Sequence, residues 1–266
     1  MAEPRPTIAW SRFIAPLVLG LLALGLWEGL VRIFEIPSYL LPGPIQIFIT
    51  LVQDWGTLME SWWITMSISL AALAAAVVLG VVLAMLFASS KWIERSFFPY
   101  AVILQVTPIV AIAPLIIIWV NDVRLSLLIC AWIVAFFPIL SNTTVGLNSA
   151  DHNLVDLFKL YRARWWQSLL HLKLPSAMPY FLAGLRISGG LSLIGAVVAE
   201  FVAGTGGTQS GLAYRILESG YQLRIPRMFA ALLLISLSGV VLFLALSLLS
   251  HLCLRRWHES ALRRET

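Results

Sequence analysis

The chain has 266 residues, of which 60% are hydrophobic and only 12% are charged, with a mean hydropathy of +0.90. Soluble domains run near 45–50% apolar and about 25% charged, so a water-soluble globule of this length is excluded. The net charge of +5 contains no basic run of the kind that lines a nucleic-acid groove, and no nucleic-acid partner is expected.

A helix needs about 20 mostly apolar residues to cross the hydrocarbon core, and the gaps between charges supply them in order. The first span is expected over about 13–34, with Glu28 and Arg32 near its far end at i and i+4, where they can neutralise each other. It is too long for a cleaved leader, and no small-residue cleavage site precedes the next polar stretch. Residues 35–60 carry Glu35, Asp54 and Glu60 and no basic residue, as an external loop would. Thirty uncharged residues between Glu60 and Lys91 hold a second span, 61–88. Twenty-six between Arg95 and Asp122 hold a third, 97–120, interrupted by Pro108 and Pro114 after an earlier Pro99. A fourth, 125–147, fills the gap between Arg124 and Asp151. The fifth, 176–203, carries Arg186 and Glu200, which stand 14 residues apart and too far along a helix to pair. The sixth is expected over 228–250.

Twelve Lys and Arg residues (5, 12, 91, 95, 159, 162, 164, 173, 255, 256, 263 and 264) fall on one side of these spans, against four (124, 215, 224 and 227) on the other. The positive-inside rule places both termini in the cytoplasm. No internal repeat or low-complexity linker divides the chain, so residues 1–266 read as one all-α transmembrane domain. Cys130 and Cys253 lie in apolar stretches and read as buried thiols. The four histidines show neither HExxH nor close pairing, so no metal is expected. The glycines at 204, 206 and 207 follow a span rather than a strand, which marks an external turn and not a phosphate loop.

The polar segment 148–175 is the most informative. Leu154, Leu157, Phe158 and Tyr161 recur at helical spacing, and Trp165, Trp166, Leu169, Leu170 and Leu172 follow Arg162-Ala163-Arg164. Two short amphipathic helices joined near Arg162 and closed by Pro175 are expected. They could lie on the inner leaflet with Trp and Arg at headgroup depth, or dock a cytoplasmic partner.

This segment resembles the cytoplasmic coupling loop of ATP-binding-cassette importer permeases. Asp156-Leu157-Phe158 stands at that motif's EAA, Arg162 at its glycine, and Leu172 with Leu174-Pro175 at its aliphatic and Leu-Pro positions. Three further stretches resemble permeases for nitrate, taurine and alkanesulfonates. They are Leu40-Leu41-Pro42-Gly43-Pro44, Thr107 to Leu115 followed by Trp119, and Ala199-Glu200 followed by Gly211-Leu212-Ala213-Tyr214.

The resemblance implies a multi-pass permease of a bacterial inner membrane. It would be paired with a second copy, docked on a cytoplasmic ATPase dimer, surrounded by lipid and served by an external solute-binding protein. Neither catalytic residues nor a cofactor are implied, and the chain has no GxxxxGK[ST] with which to cradle ATP itself. Coupling is then expected at Asp156, Leu157, Phe158, Leu160, Tyr161, Arg162, Ala163, Arg164, Leu174 and Pro175. The pathway or gate is expected at Gln105, Thr107, Pro108, Pro114 and Glu200. With arginine at the motif glycine, a different or frayed turn is expected, or an arginine that pairs with the ATPase. The rival classes are a secondary transporter or channel, and an intramembrane protease using Ser192 with His251.

Overall fold

The computed structural model describes residues 8–204 and 210–255, and every regular element among them is helical. The elements are α1 (Ile8–Ile33), α2 (Pro44–Gln53), α3 (Trp55–Ser89), α4 (Lys91–Val106), α5 (Ile109–Trp119) and α6 (Val123–Leu147). After them come α7 (His152–Leu160), α8 (Trp165–Ser168), a π turn (Leu169–Lys173), α9 (Leu174–Ala203), α10 (Leu212–Tyr221) and α11 (Ile225–Leu254). Among the described residues, five helical stretches are long and apolar enough to cross a membrane, and a sixth span results if α4 and α5 are taken together. Of the expected external turn, residues 205–209 lie outside the described residues, as do Arg5 and the basic residues after Arg255.

Helices α3, α6 and α9 form the centre. Small residues let α6 and α9 approach so closely that an ideal Cβ on Gly195 would stand 2.9 Å from Ala131 Cα, and one on Gly146 2.8 Å from Ala177 Cα. Without water inside the bilayer, helices associate through close packing and interhelical hydrogen bonds, and small residues permit both. Ser188 Oγ donates across this contact to the Ala135 carbonyl at 2.6 Å. Phe87, Ile139, Leu140 and Leu147 belong to one buried cluster, and Ile68, Leu127, Cys130 and Ala199 to another. Cys253, in contrast to the sequence reading, lies exposed on α11.

The third span departs most from a straight rod. Chain direction changes by 99° between α4 and α5. Pro108 has no N–H to give the ladder and forces Thr107 into an extended conformation (φ −72°, ψ 124°). Pro99 and Pro114 stay within their helices. Residues 35–60 are not simply a loop either. Pro44 opens α2, whose Ile47 and Leu51 are buried with Leu58, Leu212 and Leu234, and α3 starts six residues earlier than expected. Asp54, between α2 and α3, sits 3.3 Å from Arg227 at the head of α11. The Glu28–Arg32 pair forms as anticipated, at 2.7 Å.

Candidate functional site

The 148–175 segment is built from its caps inward. The Asp151 carboxylate accepts the Asn153 N–H at 2.8 Å and starts α7. No residue of α7 is buried. Its C-terminus closes by a double hydrogen bond: Ala163 N–H donates to the Phe158 carbonyl and Arg162 N–H to the Lys159 carbonyl, each at 2.9 Å. This is the Schellman arrangement, which needs a left-handed residue at the position after the cap. That residue is Arg162, with φ +49°. The turn is therefore neither frayed nor different; it is the glycine-type turn carried out by an arginine, at a local cost of about 1–2 kcal/mol.

Arg162→Gly should relieve part of that strain. In the isolated chain, the Ala163 amide should exchange about fivefold more slowly, corresponding to about 1 kcal/mol, as read by hydrogen-exchange mass spectrometry. Unchanged or faster exchange would place the strain elsewhere.

Beyond the turn, Gln167 Oε1 accepts the Arg164 N–H at 2.7 Å and opens α8. Here the expectation that Pro175 closes this helix fails. Residues 165–203 form one continuous helical stretch. The π turn ends two residues before the proline, and Leu174 N–H donates to the Leu169 carbonyl five residues back. Proline cannot occupy an α-helix interior without losing a bond and crowding the carbonyl four residues back; the wider turn relieves that conflict. Ser176 Oγ donates to the Leu172 carbonyl at 2.9 Å, and Lys173 Nζ reaches the Ala88 carbonyl at the end of α3, at 3.4 Å.

The surface so held is apolar and open. Leu160 and Tyr161 are 81% and 80% exposed, and Leu157, Phe158, Tyr161, Ala163, Gln167 and His171 line a groove of about 350 Å³. Lys159 bonds Asp156 at 2.9 Å and holds its carboxyl below the usual carboxylate range. Arg162 and Arg164 are exposed and meet no carboxylate among the described residues. Leu174 and Pro175 are half-buried where the element enters α9.

The expected pathway residues separate into two places. Gln105, Pro108 and Pro114 are exposed and Thr107 is half-buried, all on or beside the α4–α5 bend. Thr107 Oγ1 donates to the Ile103 carbonyl at 2.7 Å, which caps one end of α4. Glu200 is elsewhere and inaccessible, with 3% of its surface exposed. Thr65 Oγ1 on α3 donates to one Glu200 oxygen at 2.8 Å and Ala213 N–H to the other at 3.1 Å, while Leu212 N–H donates to Thr65 Oγ1 at 2.9 Å. The carboxylate thus caps α10 from inside the protein and ties α3, α9 and α10 together. An ideal Cβ on Gly211 would overlap the Glu200 carboxylate, so the glycine is there for space. The GLAY stretch signals this contact in the sequence; nothing signals Thr65. Ser192 donates to its own helix at the Gly189 carbonyl, at 2.9 Å, which gives no support to a nucleophile there.

Comparison with known proteins gives concordant results. A family model for binding-protein-dependent transport system inner membrane components matches residues 76–254. The chain is similar to the formylaminopyrimidine transport permease protein ThiX of Halalkalibacterium halodurans, with 33% identity covering 91% of this chain and 95% of that one. It is also similar to the riboflavin transport system permease protein RibX of Chloroflexus aurantiacus, with 32% identity covering 94% and 92%. Among solved structures, an amino acid ABC transporter crystallised with histidines superposes with a TM-score of 0.63 at 17% identity, covering 79% of this chain and 98% of that chain.

Proposed function

The chain belongs to the family of binding-protein-dependent transport system inner membrane components, and on that premise we propose that residues 148–175 carry the nucleotide cycle of a cytoplasmic ATPase into its membrane helices. The chain is a multi-pass permease subunit of an ATP-driven importer and is not itself an enzyme; a separate subunit hydrolyses ATP. Its system also includes an external solute-binding protein.

The observation that supports the coupling reading is the continuity of α8, the π turn and α9. A push on the exposed α7–α8 element is delivered to a spanning helix without an intervening loop. Rigid-body displacement of packed helices is a common form of alternating access. Two copies, with both termini in the cytoplasm and lipid around them, would complete the path. The solute is a small polar or anionic molecule, of the nitrate, sulfonate and taurine type or the pyrimidine type.

The docking face carries two exposed cations, Arg162 and Arg164, which fit acidic or carbonyl groups on the ATPase. Charge reversal at both (Arg162→Glu with Arg164→Glu) should lower the amount of ATPase that co-purifies by about tenfold, or about 1.4 kcal/mol. Insertion into the membrane should be unchanged. Full retention of the ATPase would remove this face from the interface.

A further inference from the structure

Arg186 is the thirteenth of the 30 residues of α9. At 1.5 Å per residue it lies about 4 Å from the middle of that helix. With α9 centred in a core about 30 Å thick, the nearer boundary is about 11 Å away, further than an arginine side chain extends. On that placement its guanidinium falls short of the interface. The residue is half-buried and makes no ion pair or hydrogen bond with the described residues.

Among the described residues no carboxylate pairs with it. Glu200 is about 21 Å further along the helix and is sealed beneath Gly211 and Thr65. Glu28 pairs with Arg32, Glu94 with Lys91 and Glu218 with Arg215 near helix ends. A second copy has the same sequence and brings no counter-charge either. Under two-fold symmetry it adds another Arg186.

The face of α9 beside Arg186 is uncovered. Ile187 and Ile194 are 51% and 56% exposed, and a Cβ on Gly190, one turn on, would meet nothing within 4 Å. An intramembrane charge without a partner marks an ion or substrate route, because water or ligand must supply what the protein does not.

We propose that Arg186, contributed by both copies of the permease pair, lines the translocation path at mid-membrane and holds the anionic oxygens of the passing solute. This rests on the permease reading above. Helix α9, which bears this charge, is continuous with the docking element, so the displacement that opens the path would also move the cation relative to its twin. Two guanidinium groups brought towards each other favour a bound anion; drawn apart, they hold it less.

The test uses the reconstituted permease–ATPase complex. Phenylglyoxal, an arginine reagent, is applied to the wild-type protein, and modification of Arg186 is read by mass spectrometry in sodium chloride or in sodium ethanesulfonate. Labelling in chloride, slowed at least about threefold by the sulfonate, is expected. In a background lacking Cys130 and Cys253, Arg186→Cys should react with a membrane-impermeant anionic thiol reagent at least tenfold faster than Leu19→Cys on exposed α1. An unreactive Arg186, or labelling that the sulfonate does not slow, overturns the proposal. So does equal reactivity of the two cysteine variants. If the complex does not assemble at all, it is the ATPase-coupling reading that fails; assembly with an inert Arg186 refutes only this inference.

Discussion

Gly211→Val is expected to destabilise the protein by about 3 kcal/mol or more, because it places a branched side chain where the Glu200 carboxylate already sits. The backbone of Gly211 is extended (φ −79°, ψ −177°), a conformation any residue adopts. Its constraint is therefore one of volume. Displacing the carboxylate leaves the Ala213 N–H without its acceptor and the Thr65 hydroxyl without its nearer one. A buried carboxyl pushed off its donors leaves polar groups unsatisfied in the protein interior, which is costly.

The measurement is unfolding of the detergent-solubilised chain against Gly220→Ala, which lies in the same short helix. A Cβ there meets only Met228 Sδ, at 3.9 Å, and alanine is the better helix former by about 1 kcal/mol. Gly220→Ala should be neutral or slightly stabilising. Equal behaviour of the two variants would mean that the carboxylate does not occupy the space above Gly211. Glu200→Gln should cost less than Gly211→Val, since an amide keeps the volume and one acceptor.

Glu200 also shows where sequence reasoning reaches its limit. Its acidity inside a span is visible in the sequence and suggests a gate, but the residue that decides its role is Thr65, 135 positions earlier. Ser and Thr are common in membrane helices and bond their own backbone, as Ser69 does with the Thr65 carbonyl, so nothing singles Thr65 out. Charge gaps, by contrast, depend only on the cost of burying ions in hydrocarbon, and the described residues hold five helical stretches apolar enough to cross a membrane, or six if α4 and α5 form one span.

Prolines are legible as points of stress without revealing how it is resolved. Pro108 turns the chain through 99°, Pro99 and Pro114 are absorbed, and Pro175 follows a π turn. The outcome depends on whether neighbouring groups can take up the freed carbonyl, which is a tertiary property. Arg162 is the same lesson at a turn. The two backbone bonds of the cap and the open space around the side chain outweigh the strain of a positive φ, so loss of the glycine does not mean loss of the turn.

Pro175→Ala should uncouple ATP hydrolysis from solute without unfolding the chain. The π turn holds one more residue than an α turn would, and proline lacks the N–H that would bond the His171 carbonyl in an α-helical register. Restoring that N–H removes the reason for the wide turn. Annealing it into the α-helix rotates everything before it by about 100° relative to α9, carrying Leu160, Tyr161, Arg162 and Arg164 to a different side of the helix. The contacts that seat α9 on α6, at Gly184, Ser188 and Gly195, lie beyond the substitution and should persist. Hydrolysis stimulated by solute-loaded binding protein is therefore expected to fall more than tenfold in proteoliposomes, with normal insertion and normal thermal stability. Leu160→Pro, which breaks α7 at a cost of about 3 kcal/mol, should abolish the same stimulation by a different route, since it destroys the docking helix and leaves the register of α8 alone. If Leu160→Pro abolishes stimulation while Pro175→Ala retains it in full, α7 is the docking element but the angle set by the π turn is not what transmits the stroke. If both retain it, force enters α9 by some other surface.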